Sequence, residues 1–146
     1  MSYNTSEFRG EAHNPIRIAN AGADYFSILE KRLPEELKKK GIPAVVRSDV
    51  AKSGGLFGSR VPMLVISHPN PPSRYFDIGV VVNGQVLSFP LLGYSAENTR
   101  ANKIDETRSQ GKLLKGLLMR KPDEFQLQQE ELWQGDVIYT ILSFYD

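Results

Sequence analysis

The dipeptide Asn83-Gly84, with strand-like segments on both sides, constrains this chain more than any other feature of its sequence. Asn-Gly is the preferred centre of two-residue β-hairpin turns, because both turn positions take positive φ angles. The pattern therefore predicts a hairpin in which Val80 faces Leu87 across the two strands.

Alternation along the first strand of this hairpin predicts two different faces. The apolar face is made of Phe76, Ile78, Val80 and Val82. The other face is more polar, and we expect it to meet solvent or a site. Its members are Tyr75, Asp77, Gly79 and Val81.

Two further β-rich segments precede the hairpin, and short links join all four strands. Short links favour an antiparallel meander, because parallel strands need crossover connections of a dozen or more residues. The predicted strands cover residues 44–49, 61–67, 75–82 and 85–92.

The segment 21–40 is predicted to be helical, because apolar residues recur at every fourth position. The stripe consists of Tyr25, Leu29, Leu33 and Leu37. Asp24 is the predicted cap, and Gly41 is the predicted stop. Pro34 lacks a backbone N–H, so we expect it to divide the segment into two helices.

The last third of the chain is predicted to be mainly helical. Short helices are expected over 96–103 and 111–119, and residues 123–134 contain strong helix formers. Residues 137–145 fit either a strand or a continuation of that helix, and the preceding helix formers favour the helix. Residues 1–18 are expected to form a loosely ordered arm, or a strand at 16–18. The prediction is one domain of 146 residues, a two-layer α+β fold with an N-terminal helix, a central antiparallel meander and C-terminal helices.

Composition excludes several classes of protein. The chain has no cysteine, which excludes a disulfide framework and a thiolate nucleophile, and its formal net charge of +1 gives no global field. The first twenty residues are polar, and the longest apolar stretch, 137–145, is about half of the ~20 residues that a membrane-spanning helix needs. We therefore expect a soluble cytoplasmic protein without a membrane partner.

A glycine-rich loop is the most informative candidate site. Three glycines in five residues lie between Lys52 and Arg60, so exposed backbone amides and two cations could hold an anion. The loop lacks the P-loop signature and leads into a strand. A plain connection with Leu56 and Phe57 as an apolar plug is the simpler interpretation. The predicted ligand- or partner-binding residues are Lys52, Ser53, Gly54, Gly55, Leu56, Phe57 and Arg60.

Residues for catalysis and metal binding give weaker signals. His13 and His68 are far apart in sequence, and neither belongs to a paired-histidine motif. Adjacent carboxylates such as Glu35 and Glu36 fit a solvated helix surface better than general acid–base chemistry. The sequence therefore predicts no metal, no cofactor and no catalytic residue.

Charge is divided unevenly near the C-terminus. Residues 100–121 hold seven basic and two acidic residues, whereas residues 122–146 hold six acidic residues and no Lys or Arg. Adjacent blocks of opposite charge are expected to pack together. If the basic block faces outward instead, its candidate nucleic-acid contacts are Lys103, Arg108, Lys112, Lys115, Arg120 and Lys121.

The favoured function is a non-catalytic cytoplasmic binding or interaction domain whose partner is another protein or a small anionic ligand. One alternative is a nucleic-acid accessory protein that uses the basic block. The other alternative is a small enzyme that holds an anionic substrate at residues 52–60, with His68 as the proton carrier.

Overall fold

The computed structural model describes residues 2–18, 22–54, 58–70, 75–94 and 124–144. Within these ranges the protein is a mixed α+β structure, in which a six-stranded, mostly antiparallel sheet packs against two helices. A short 3-10 turn at Thr5–Glu7 follows the first strand. The strands are β1 (Ser2–Asn4), β2 (Glu11–Arg17), β3 (Val45–Ser53), β4 (Ser59–Ser67), β5 (Phe76–Asn83) and β6 (Val86–Tyr94), and the helices are α1 (Gly22–Lys39) and α2 (Glu124–Ser143).

The sheet has the strand order β1-β3-β4-β5-β6-β2. The four central strands follow one another as the predicted antiparallel meander. The N-terminal residues supply both outer strands, since β1 pairs in parallel with β3 and β2 pairs antiparallel with β6. The sequence had indicated only a possible strand at residues 16–18 of this region.

The hairpin is present, but its register differs from the predicted one. Asn83 pairs with Val86, so Gly84 and Gln85 form the turn, and Val82 faces Leu87. Gly84 takes a positive φ of 61° at the first turn position. The difference moves one strand by two residues along its partner. Because side chains alternate with a period of two, each residue keeps the predicted face.

α1 is one continuous helix with Pro34 inside it, so the predicted division into two helices is wrong. Leu33 and Leu37, on either side of Pro34, are both buried in the core. Their packing holds the helical geometry that the missing N–H would otherwise weaken. Asp24 lies in the first turn and is not the cap, because the helix begins at Gly22, and Gly41 follows its end as predicted.

The main core lies between the sheet and both helices. The predicted stripe of α1 is fully buried there, together with Trp133, Val137 and Ile141 of α2. Residues 137–143 are helical, which confirms the interpretation that the sequence favours over a strand. The hydroxyl of Tyr25 donates to the carbonyl of Ile141 at 2.9 Å and joins the two helices.

The second face of the sheet also carries a buried cluster. Tyr3 of β1 belongs to this cluster, and Phe8, which follows the 3-10 turn, packs against it. Asp77 and Val81 lie on this side and are only 1% and 8% exposed, so the predicted polar face of the hairpin is covered over these positions. Tyr75 precedes β5 and packs in the main core instead. The predicted helices over 96–103 and 111–119 lie outside the described residues.

Candidate anion-binding site

Three polar side chains form one row across three strands at the end of the β3–β4 hairpin. Lys52 of β3 is paired with Asn4 of β1 on one side and with Arg60 of β4 on the other. Residues that are directly opposed in neighbouring strands share a face, and their Cα atoms lie roughly 4.5–5.5 Å apart. The fold therefore holds two cations and an amide beside one another.

The two cations of this row have no acidic partner among the described residues. Neither Lys52 nor Arg60 makes an ion pair or a side-chain hydrogen bond there. Arg47, on the same strand as Lys52, differs, since its guanidinium pairs with Asp49 at 3.2 Å. Like charges that face each other directly across a sheet are destabilising. The pair thus favours an anion between its members.

A cavity of about 340 Å³ opens at this row. Its polar lining is rich in hydrogen-bond donors. Asn4 uses its Oδ1 to accept from the backbone N–H and the hydroxyl of Ser6, at 3.2 and 3.1 Å, which leaves its Nδ2 as a donor. The lining residues are Asn4, Lys52, Ser53, Gly54, Gly58, Ser59 and Arg60.

Gly58 makes a tight backbone contact with Ser53 at the turn end of the β3–β4 hairpin. A Cβ atom added there would lie 1.7 Å from the carbonyl oxygen of Ser53, so only glycine fits. This contact supports the Ser53–Ser59 pair, which is the residue pair of β3 and β4 nearest the turn. It fixes the two strand ends from which Lys52 and Arg60 extend.

Arg47 of β3 and Tyr3 of β1 form a second polar interaction, further from the cavity along β3. Arg47 donates to the hydroxyl of Tyr3, and its guanidinium carbon lies 5.7 Å from the ring centroid of Tyr3. Burial raises the pKa of Tyr3 above its ordinary value, and the nearby carboxylates of Asp77 and Asp49 act in the same direction, against the opposing effect of Arg47. The charge of Arg47 is thus used within the fold.

The structure places the predicted binding residues only in part. Lys52, Ser53, Gly54 and Arg60 come together at the cavity. Gly55, Leu56 and Phe57 lie outside the described residues, and so does the predicted apolar plug. Asn4 was missed, because its parallel pairing with Lys52 joins distant parts of the chain without a local sequence signal.

His68 lies at the opposite end of β4 from Arg60. Eight residues of extended strand separate them by roughly 26 Å. The ring of His68 instead packs against Tyr75 and Trp133, with centroid distances of 5.2 and 5.5 Å, and desolvation lowers its pKa. The geometry therefore gives no support to His68 as a proton carrier for a substrate at residues 52–60.

A second cavity, of about 370 Å³, lies between β2 and α2. Glu11, His13 and Glu131 are among its lining residues, and Nδ1 of His13 is 2.8 Å from the carbonyl oxygen of Asn14. Within the described ranges no three His, Asp or Glu side chains are grouped so that they could bind a metal ion. This cavity mixes carboxylates with an apolar helix side and indicates no particular ligand.

The basic block 100–121, with the six candidate nucleic-acid contacts, lies outside the described residues, so its predicted packing against the acidic block stays a prediction. In the part of the chain that the structure describes, neither helix has the length and apolar character that crossing a membrane requires.

Comparisons with protein-family models, curated proteins and solved structures gave no match to this chain.

Proposed function

We propose that the protein is a non-catalytic binding domain that holds an anionic group at the end of the β3–β4 hairpin. One observation carries the proposal: Lys52 and Arg60 face each other beside a cavity without an acidic partner among the described residues. A structure that holds two like charges together is stabilised when an anion neutralises both. The binding energy is then available from groups that are already in place.

The chemistry of the lining favours a phosphoryl group. An arginine guanidinium offers a planar fork of donors, and a lysine ammonium adds a second, compact charge. The Ser59 hydroxyl and the Asn4 amide supply neutral donors for further oxygens. At about 340 Å³ the cavity is small for a ligand pocket, so the ligand is a phosphoryl group with a small body or the exposed end of a larger molecule.

The same lining supports binding rather than catalysis. Within the described residues, the side chains at this cavity are cationic, amide and hydroxyl groups. General acid–base catalysis uses a group with a pKa near the working pH, most often histidine or a carboxylate. Neither type lines this cavity in the described part of the chain. The cytoplasmic location that the sequence predicts belongs to this proposal, and cell fractionation tests it.

Calorimetric titration with inorganic phosphate, a sugar phosphate and a single-stranded oligonucleotide tests the proposal. Arg60→Gln should weaken phosphate binding at least tenfold, because a hydrogen bond to a charged group contributes about 1.5–3 kcal/mol. Arg17→Gln is the matched control, since Arg17 is an exposed arginine on β2, at the far edge of the sheet. Equal phosphate affinity in the two variants would contradict the proposal.

The three ligands separate the possible sources of the phosphoryl group. A sugar phosphate that binds more tightly than the oligonucleotide indicates a small-molecule ligand. An oligonucleotide that binds more tightly, with an affinity that falls steeply with salt, indicates a nucleic-acid partner. Without ligand, Arg60→Gln should be slightly more stable than the parent, because it removes the repulsion from Lys52.

A further inference from the structure

Among the described residues, the two cations of the anion site do not belong to a longer basic track. Side chains on one face of a strand recur at every second residue, so the positions that precede Lys52 on its face of β3 are Val50 and Ser48. The hydroxyl of Ser48 donates to the carboxylate of Glu30. Arg47, the other cation of β3, lies on the opposite face. A carboxylate, and not a further cation, therefore stands in this direction.

The other directions from the pair add no positive charge within the described residues. On the side of β1, Asn4 is followed by the turn Thr5–Glu7. On the other side, β5 ends in Val82 and Asn83, and the segment 53–59 contains no charged residue. A groove that binds a nucleic-acid strand follows its backbone with cations over about 4–16 nucleotides. This site instead presents two positive charges at one place.

We propose that the ligand of this site is a phosphomonoester, held by its terminal phosphoryl group. The inference rests on the proposed function, since it names the class of anion that the site binds. A phosphomonoester carries a charge of about −1.5 to −2 at pH 7, whereas a phosphate of a nucleic-acid backbone carries one negative charge. Lys52 and Arg60 lie directly opposite each other and match the double charge of the monoester. A diester would neutralise only one of them.

The hydrogen-bond donors of the lining favour the same class. A terminal phosphoryl group has three oxygens that accept hydrogen bonds, whereas a diester has lost one of them to the second ester bond. The guanidinium of Arg60 can bind two oxygens at once, and the ammonium of Lys52 and the amide of Asn4 supply donors for the third. These donors come from three neighbouring strands, so they surround one group of oxygens.

Calorimetric titration with ribose 5-phosphate and with its methyl diester tests the inference, because the two ligands share one body. At pH 8 the monoester should bind at least tenfold more tightly, since it makes one more hydrogen bond to a charged group. At pH 5.5 this preference should shrink, because the monoester takes up a proton with a pKa of about 6. Binding of the diester should not change. The titratable residues at the site or on the elements beside it are Lys52, Arg60, Glu7 and Glu30, and none of these residue types titrates in this range.

Variants of Lys52 separate its charge from a structural role. Lys52→Gln should reduce the preference for the monoester to nearly one, because a single cation remains for either ligand. Lys52→Arg keeps the charge and should keep the preference. Lys39→Gln is the matched control, because Lys39 is an exposed lysine at the end of α1, close in the chain to the start of β3, whereas Lys52 lies near the end of that strand. Melting curves of all three variants show that they fold.

The outcomes separate this inference from the proposed function. Equal affinity for the two ligands, with both lost in Arg60→Gln, would overturn the phosphomonoester and leave the anion site in place. Tighter binding of a single-stranded oligonucleotide without a terminal phosphate than of ribose 5-phosphate would have the same consequence. If neither ribose ligand nor the oligonucleotide binds, both the inference and the proposed function are wrong.

Discussion

Backbone conformation at single residues separates glycines that the fold requires from those that it tolerates. Gly84 and Gly135 both have open space where a Cβ would be added, since no atom lies within 4 Å of that position. They differ in backbone geometry, because Gly84 has a φ of 61° in the hairpin turn and Gly135 lies inside α2. The contrast isolates the backbone contribution to stability.

We predict opposite effects for alanine at these two positions. Gly84→Ala should lower the free energy of unfolding by about 1–2 kcal/mol, because an L-residue at this φ is strained. Gly135→Ala should raise it by about 1 kcal/mol, because alanine is the better helix former. Urea unfolding measures both values. A neutral Gly84→Ala would mean that the turn does not hold this glycine at positive φ.

His68 gives the protein a defined response to acid. Desolvation lowers its pKa in the folded state, and its Nδ1 accepts a hydrogen bond from the N–H of Asn70 at 3.1 Å. The unfolded chain therefore binds a proton more tightly at His68 than the folded protein does, so stability falls as the pH drops below about 6.5 through the folded-state pKa.

We predict that His68→Gln flattens the dependence of stability on pH between neutral pH and pH 5. Thermal unfolding in a series of buffers measures the slope. His13→Gln, at the exposed histidine of β2, is the matched control and should leave the slope close to that of the parent. If both variants keep the slope, carboxylates and not His68 cause it.

At the scale of elements, packing overrides local propensity in α1. Pro34 is exposed and removes one backbone hydrogen bond, yet the helix continues because Leu33 and Leu37 are buried at 0% and 1% exposure. The missing bond remains an energetic cost within the folded protein.

Pro34→Ala should therefore stabilise the protein, by up to about 3 kcal/mol, because alanine restores the N–H and suits a helix interior. Thermal and urea unfolding measure the gain. Ser27→Ala, at another exposed position of α1, provides a control in which no backbone bond is restored. A loss of stability in Pro34→Ala would show that the packing of Leu33 and Leu37 depends on a bend at the proline.

How far the sequence predicts each element depends on how local its signal is. The stripe of α1, the presence of four meander strands and the helix at 137–143 follow from short-range patterns and are found in the structure. The strand bounds are predicted only in part, since β3 covers Val45–Ser53 where the sequence predicts 44–49. The hairpin register does not follow from Asn83-Gly84 alone, because moving the turn by one residue shifts the strand pairing by two and buries the same side chains. β1 pairs with residues nearly fifty positions away, so neither this strand nor Asn4 of the site could be found from local periodicity.

At the scale of the whole molecule, burial is greatest in the middle of the sheet. Buried clusters cover both faces of the central strands β4 and β5. Their fully buried residues include Leu64, Ile66, Ile78 and Val80, all at 0% exposure. The outer strands differ, since β1 has only three residues and β2 has irregular pairing with β6. Both outer strands belong to the N-terminal region, so the anion site joins a short edge strand to the more stable hairpin.

We predict that amide hydrogen exchange follows this order. Peptides from β4 and β5 should exchange most slowly, because their amides open only when the central sheet unfolds, whereas residues 2–4 should exchange fastest among the strands. Mass spectrometry with and without phosphate measures both sets. Phosphate should slow exchange at residues 2–4 and 52–54 together, since Asn4 and Lys52 line the same cavity, and leave β2 unchanged. Protection of residues 52–54 without protection of residues 2–4 would mean that β1 takes no part in binding, and equal exchange in all strands would mean that the sheet opens as one unit.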